Sequence, residues 1–167
     1  RKNQKKDDED KEVLTGLLEG RRVSIYPGTV ITEVSTDDYL VVLYPNRDTE
    51  ELTGYIAGTV HYFESDATFS FILPDNAEAG PRLILNDRVY YFEQVSQPGE
   101  KNVVFELKVL ELGSAMNRIS TGLKVSNAEP RILGADAEGR VLFSFVSPSG
   151  SGMGITDPVR QKGTESN

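Results

Sequence analysis

Between Val23 and Val146 the apolar residues of this chain recur at every second position, in short runs separated by turn-forming residues. A helix that buries one face needs a period near 3.6, whereas a strand with one covered face needs a period of two. Val23 and Ile25 share a face opposite Arg22 and Ser24. Phe69, Phe71 and Leu73 alternate with Thr68, Ser70 and Ile72, and Val141, Phe143 and Phe145 alternate strictly. The breaks between runs carry turn chemistry: Pro27-Gly28, Thr36-Asp37-Asp38, Pro45-Asn46, Ser65-Asp66, Asn86-Asp87, Pro98-Gly99 and Asp136–Gly139. Asn and Asp tolerate the left-handed backbone that a tight hairpin demands, so Asn86-Asp87 predicts a two-residue hairpin turn. The pattern predicts an all-β chain, an antiparallel β-sandwich or β-barrel of about ten short strands with little helix and flexible polar tails.

Three stretches depart from simple alternation. Tyr39–Tyr44 (YLVVLY) is apolar on both faces, which reads as a central or sandwiched strand. In Lys101–Leu112 the apolar register slips by one residue after Val109, and a β-bulge near Val109-Leu110 is expected to absorb the slip. Gly113–Thr121 reads as a loop or short helix, and Gly122–Ser126 as a weak strand.

The ends differ from the middle. Residues 1–12 (RKNQKKDDEDKE) contain no apolar side chain and read as a charged, disordered tail or linker, the sharper alternative being a linker after a lost membrane anchor. Residues 13–147 read as a single β-rich domain with a possible sub-boundary at 74–81, where PDNAEAGP is a loop by composition. Residues 148–167 read as a flexible tail rich in Gly, Ser and Pro.

The formal net charge is −8. A nucleic-acid partner calls for a clustered basic face, so this balance argues against one, and no apolar run is long enough for direct membrane insertion. There is no cysteine, which excludes thiolate metal sites, disulfides and cysteine nucleophiles, but fixes no compartment. An extracytoplasmic or virion setting is favoured slightly over a cytoplasmic one.

Few residues suggest chemistry. His61 is the only histidine and cannot form a two-His metal site, so it reads as a strand residue on a polar face or rim. Gly150–Gly154 lacks the lysine and following helix of a phosphate loop. No metal-ligand, cofactor or nucleophile motif is present. Glu93, Glu106 and Glu111 are strand carboxylates that a two-carboxylate hydrolase would need to bring together, and Glu106 and Glu111, at polar positions of an alternating pattern, read more simply as a solvated strand face. The tyrosines are the remaining signal. Tyr39, Tyr44, Tyr55, Tyr62, Tyr90 and Tyr91 are candidate contacts to a partner or ligand, since tyrosines on a sheet face anchor interfaces or stack on sugars.

The absence of catalytic, cofactor and metal patterns on a many-stranded scaffold leads to one expectation. The chain is a non-catalytic structural or assembly module that contacts other protein subunits, with copies of itself among the candidates. A small-ligand or carbohydrate-binding domain using surface tyrosines is the alternative, and a carboxylate hydrolase the more remote one.

Overall fold

A computed structural model describes residues 32–45, 55–75 and 82–159. Expectations for the charged tail, the Val23–Ile25 strand, the Pro27-Gly28 bend, the 47–54 connection and residues 160–167 lie outside the described residues. Those residues form 11 strands in three antiparallel sheets, and no helix occurs among them. The chain divides into two units, Arg1–Asp75 and Asn76–Asn167. The division falls inside the loop-like stretch 74–81.

The first unit holds a four-stranded meander: β1 (Thr32–Ser35), β2 (Tyr39–Pro45), β3 (Tyr55–Tyr62) and β4 (Thr68–Pro74), paired in that order. The β1–β2 turn closes on Thr36, whose Oγ1 accepts from the N–H groups of Asp38 (3.2 Å) and Tyr39 (3.1 Å). At the β3–β4 turn, Tyr62 N–H bonds the Ala67 carbonyl and Asp66 adopts φ 58°. Every residue from Tyr39 to Tyr44 is buried, as expected of a strand that is apolar on both faces. Leu40, Val42 and Tyr44 cluster with Ala57 and Phe63, while Val41, Leu43, Ile56, Val60, Phe71 and Leu73 are buried at the opposite parity. Leu43, Gly58 and Phe71 lie in register across three strands, and the Phe71 ring occupies the space a Cβ on Gly58 would need.

The second unit is a two-layer sandwich. One layer contains β5 (Leu83–Leu85), β6 (Arg88–Gln94), β7 (Val104–Glu111) and β8 (Asn117–Ser126) in that order. The other contains β9 (Glu129–Ala135), β10 (Val141–Ser147) and β11 (Gly150–Ile155), ordered β11-β10-β9. Tyr90, Phe92, Phe105, Leu107, Val109, Ile119 and Val125 of the first layer pack with Ile132, Val141 and Phe143 of the second in one apolar core. Asn86 (φ 51°) and Asp87 (φ 61°) form the expected two-residue turn, with Leu85 opposite Arg88.

Three expectations are corrected. There is no bulge at Val109-Leu110, because β6 and β7 pair without interruption from Arg88↔Glu111 to Gln94↔Phe105. The apparent slip arises because β7 is buried on both faces: Phe105, Leu107 and Val109 enter the core, and Leu110 is buried on the reverse side. The irregularity sits instead between β7 and β8, where Glu106 pairs Lys124 but Lys108 pairs Ser120. The extra residues on β8 include Gly122 at φ 78°, a backbone state that favours glycine. Second, Asn117–Ser126 is one strand, not a loop or short helix followed by a weak strand; its pairing with β7 outweighs its weak local pattern.

Third, the expected flexible tail begins too early. Gly150–Ile155 is paired throughout with β10. Composition is misleading here because the glycines fill a specific role. Phe145 lies opposite Gly152 and Phe143 opposite Gly154, and their rings cover the positions where Cβ atoms would stand, at 2.5 and 2.6 Å. Aromatic side chains restore the burial that glycine lacks in a strand. Beyond β11, Thr156 N–H bonds the Val141 carbonyl, Val159 N–H bonds the Gly139 carbonyl, and Val159 packs in the core. Arg88 Nη1 also donates to the Val159 carbonyl at 2.9 Å.

Candidate functional site

The tyrosines expected at the surface are mostly inside. Tyr39, Tyr44, Tyr90 and Tyr91 are buried, Tyr62 is half-buried and Tyr55 is 39% exposed. Each buried ring has a local role. Tyr39 and Tyr62 pack across β2 and β3 with centroids 6.0 Å apart. The Tyr44 hydroxyl bonds Thr59 Oγ1 at 3.1 Å. Tyr90 belongs to the sandwich core. Tyr91 accepts a bond from Arg118 Nη1 at 3.1 Å. Burial pushes the Tyr91 phenol above its ordinary pKa, and the guanidinium pulls it partway back. Alternation shows that a tyrosine faces one side of a sheet, but not whether that side is covered.

His61 is buried, not at a rim. Its Nδ1 bonds Thr68 Oγ1 at 2.7 Å, and its ring meets Phe63 edge-on. Nε2 lies 3.3 Å from Asp66 Oδ1, close enough for an ion pair when the ring is protonated, yet it makes no hydrogen bond. This is the geometry of a local brace between β3 and the following turn.

The strand carboxylates separate into two groups. Glu111 points to the core side of its sheet and pairs with Arg88 at 3.4 Å. Glu93 and Glu106 stand directly opposite each other on the reverse face. Side chains so placed have Cβ atoms about 5 Å apart, and like charges there repel. Lys108, diagonal to Glu93, answers that repulsion with a 2.5 Å ion pair. The Glu93 carboxylate holds the Lys108 ammonium above its ordinary pKa, against the opposite effect of burial. Glu106 is only 8% exposed, so the expected solvated strand face is corrected here. Its Oε2 accepts from Gly122 N–H at 3.4 Å, and Lys124 is its partner in register on β8. The two carboxylates are thus brought together, but within a charge-balanced network. Among the described residues, no cluster of three or more His, Cys, Asp or Glu side chains is arranged to hold a metal ion.

The feature missed by sequence reasoning lies on the opposite layer. Seven large apolar side chains are exposed among the described residues, and five of them, Leu133, Leu142, Val146, Met153 and Ile155, belong to the β9–β10–β11 sheet. Leu142 pairs with Ile155, and Met153 pairs with Ser144, across the outward face. The inward face is spent on Phe143, Phe145 and the glycines beneath them. The signal was present in Met153 and Ile155, which alternate with glycine at 152 and 154, but the composition of the segment obscured it.

The chain matches no protein-family model, no curated protein and no solved structure.

Proposed function

We propose that this chain is a non-catalytic assembly module whose protein contacts run through the outward face of the β9–β10–β11 sheet, in a larger complex such as a virion, surface appendage or secretion machine. The observation that supports this reading is the concentration of exposed Leu142, Val146, Met153 and Ile155 on one sheet. Scattered surface apolar residues are normal, but a group of them on one sheet face marks an interaction surface. The tyrosine-based ligand reading loses its support, because four of its six residues are buried. A photo-crosslinking amino acid at Val146, in the full chain within its native cells, is expected to give discrete protein adducts. The same probe at Glu138, in an exposed turn, is expected to give none. Equal, diffuse labelling at both positions would overturn the proposal.

A further inference from the structure

We infer that the open edge of β11 pairs with β11 of a second copy of this chain, antiparallel across a two-fold axis, to give one continuous six-stranded sheet. The inference rests on the assembly reading above and adds to its outward face a contact along the adjoining edge.

Backbone direction identifies what the edge offers. Thr156 N–H points into the sheet, to the Val141 carbonyl. Backbone groups alternate sides along a strand, so Gly154 and Gly152 also face β10, whereas Ile155, Met153 and Ser151 turn their N–H and C=O groups to the open side. β11 ends the sheet order, and no strand among the described residues pairs with its other side. Met153 is 65% exposed and Ile155 64%. An edge of this kind is a template for another strand.

The other edges are blunted. β1 is short and carries Glu33, and β5 has three residues. β4 ends in Pro74 and is buried over Phe71, Leu73 and Pro74. β8 carries Arg118 and Lys124, and β9 carries Glu129, Pro130 and Arg131. Charge, proline and shortness are the devices that stop edge pairing, and β11 has neither charge nor proline.

Symmetry names a second copy as the occupant, and charge leaves this hairpin as the place where two copies can meet. The chain has a net charge of −8, so two copies repel over most of their surface. Residues 141–156 contain no charged side chain and form the hairpin that would meet its twin. A two-fold pairing is self-complementary and closes. The new outer edges are both β9, whose Glu129-Pro130-Arg131 run stops further growth. With Met153 opposite its own copy, Ser151 faces Ile155 and the outward-turned backbone groups meet in register.

The test uses single-cysteine variants of the full chain, which has no cysteine of its own. Opposed Cα atoms in such a pair lie about 5.5 Å apart, within disulfide reach. Met153→Cys is expected to give a disulfide-linked homodimer under mild oxidation with copper phenanthroline, and Glu138→Cys is expected to stay monomeric. Light scattering over about 1 to 300 μM should show a monomer–dimer equilibrium for the native chain. The Met153→Lys/Ile155→Lys variant should weaken it by about tenfold or more while its urea midpoint is unchanged. A dimer that persists in the lysine variant would overturn the edge assignment. A native chain that stays monomeric, with a photo-crosslinker at Met153 capturing a different polypeptide in cells, would overturn the second copy and leave the assembly reading standing. A monomer with no adduct at Met153 or Val146 would overturn both.

Discussion

The two layers of the sandwich differ on the faces they turn away from their shared core. The β5–β8 sheet withdraws Glu106 from solvent and keeps Glu93 and Lys108 half-buried, whereas the β9–β11 sheet leaves Met153, Ile155 and Val146 in solvent. Both sheets contribute one apolar face to the same core. The difference shows that a strand pattern specifies two faces without specifying which environments they meet. Charges can be withdrawn from water when they are paired, whereas exposed apolar groups on one face carry a hydration cost that only a covering surface would relieve.

The largest test of this contrast compares truncations in the two layers. Leu107→Ala removes a fully buried side chain from the shared core and is expected to cost about 2–5 kcal/mol in urea unfolding. Val146→Ala on the exposed face should change stability by less than about 0.5 kcal/mol. Comparable losses would show that the outer face of β10 is covered within the chain itself.

Next in size is the glycine–aromatic packing. Gly154→Ala forces a methyl group into the Phe143 ring and is expected to cost about 1–3 kcal/mol. Gly152→Ala should cost less, because Phe145 is only half-buried, while Phe143 belongs to the core. The order of the two melting temperatures checks this, and a reversal would break it.

A smaller effect is expected from the paired charges on the other layer. Lys108→Met leaves Glu93 opposite Glu106 without its cation, at a cost of about 1 kcal/mol near neutral pH. A double-mutant cycle with Glu93→Gln should show favourable coupling between the two. The Lys108 pKa is raised in the folded state, so the stabilisation is present below the ordinary lysine value of 10.5 and is lost as pH climbs through the higher folded value. Coupling indistinguishable from zero would make the withdrawn charges a mere tolerance.

The smallest effect lies at the β9–β10 turn. Asp136 Oδ1 accepts from the N–H groups of Glu138 (3.0 Å) and Arg140 (2.9 Å), and Oδ2 pairs with the Arg140 guanidinium. The Arg140 backbone N–H and guanidinium hold the Asp136 carboxyl below its usual range. Its contribution is therefore present above the ordinary carboxylate pKa and fades as pH falls through the lower folded value. Lower amide protection at Gly139 and Arg140, measured against the intrinsic exchange rate at each pH, on acidification or in Asp136→Asn, would register it. Unchanged exchange would remove this turn from the charged contacts that matter.

Much of the architecture was legible in particular residues. The Asn86-Asp87 pair specified its hairpin because few other residues adopt two successive left-handed conformations. Val141, Phe143 and Phe145 defined β10 through a period that no helix can satisfy. Sequence reasoning failed at β8 and β11, where local preference is weak. Each is held by long-range pairing, and β11 also by rings from the neighbouring strand. The tyrosines failed for a related reason: Tyr90 and Tyr91 point to opposite faces, yet both are buried.

The order of apolar and polar residues along this chain was enough to determine most of the strands and tight turns, β8 and β11 apart, because these depend on backbone geometry and nearest neighbours. Tertiary structure alone decided which faces would be buried, which carboxylates would meet and which edge would stay open. Those outcomes depend on what arrives from distant parts of the chain, and the alternation of a single strand carries no record of it.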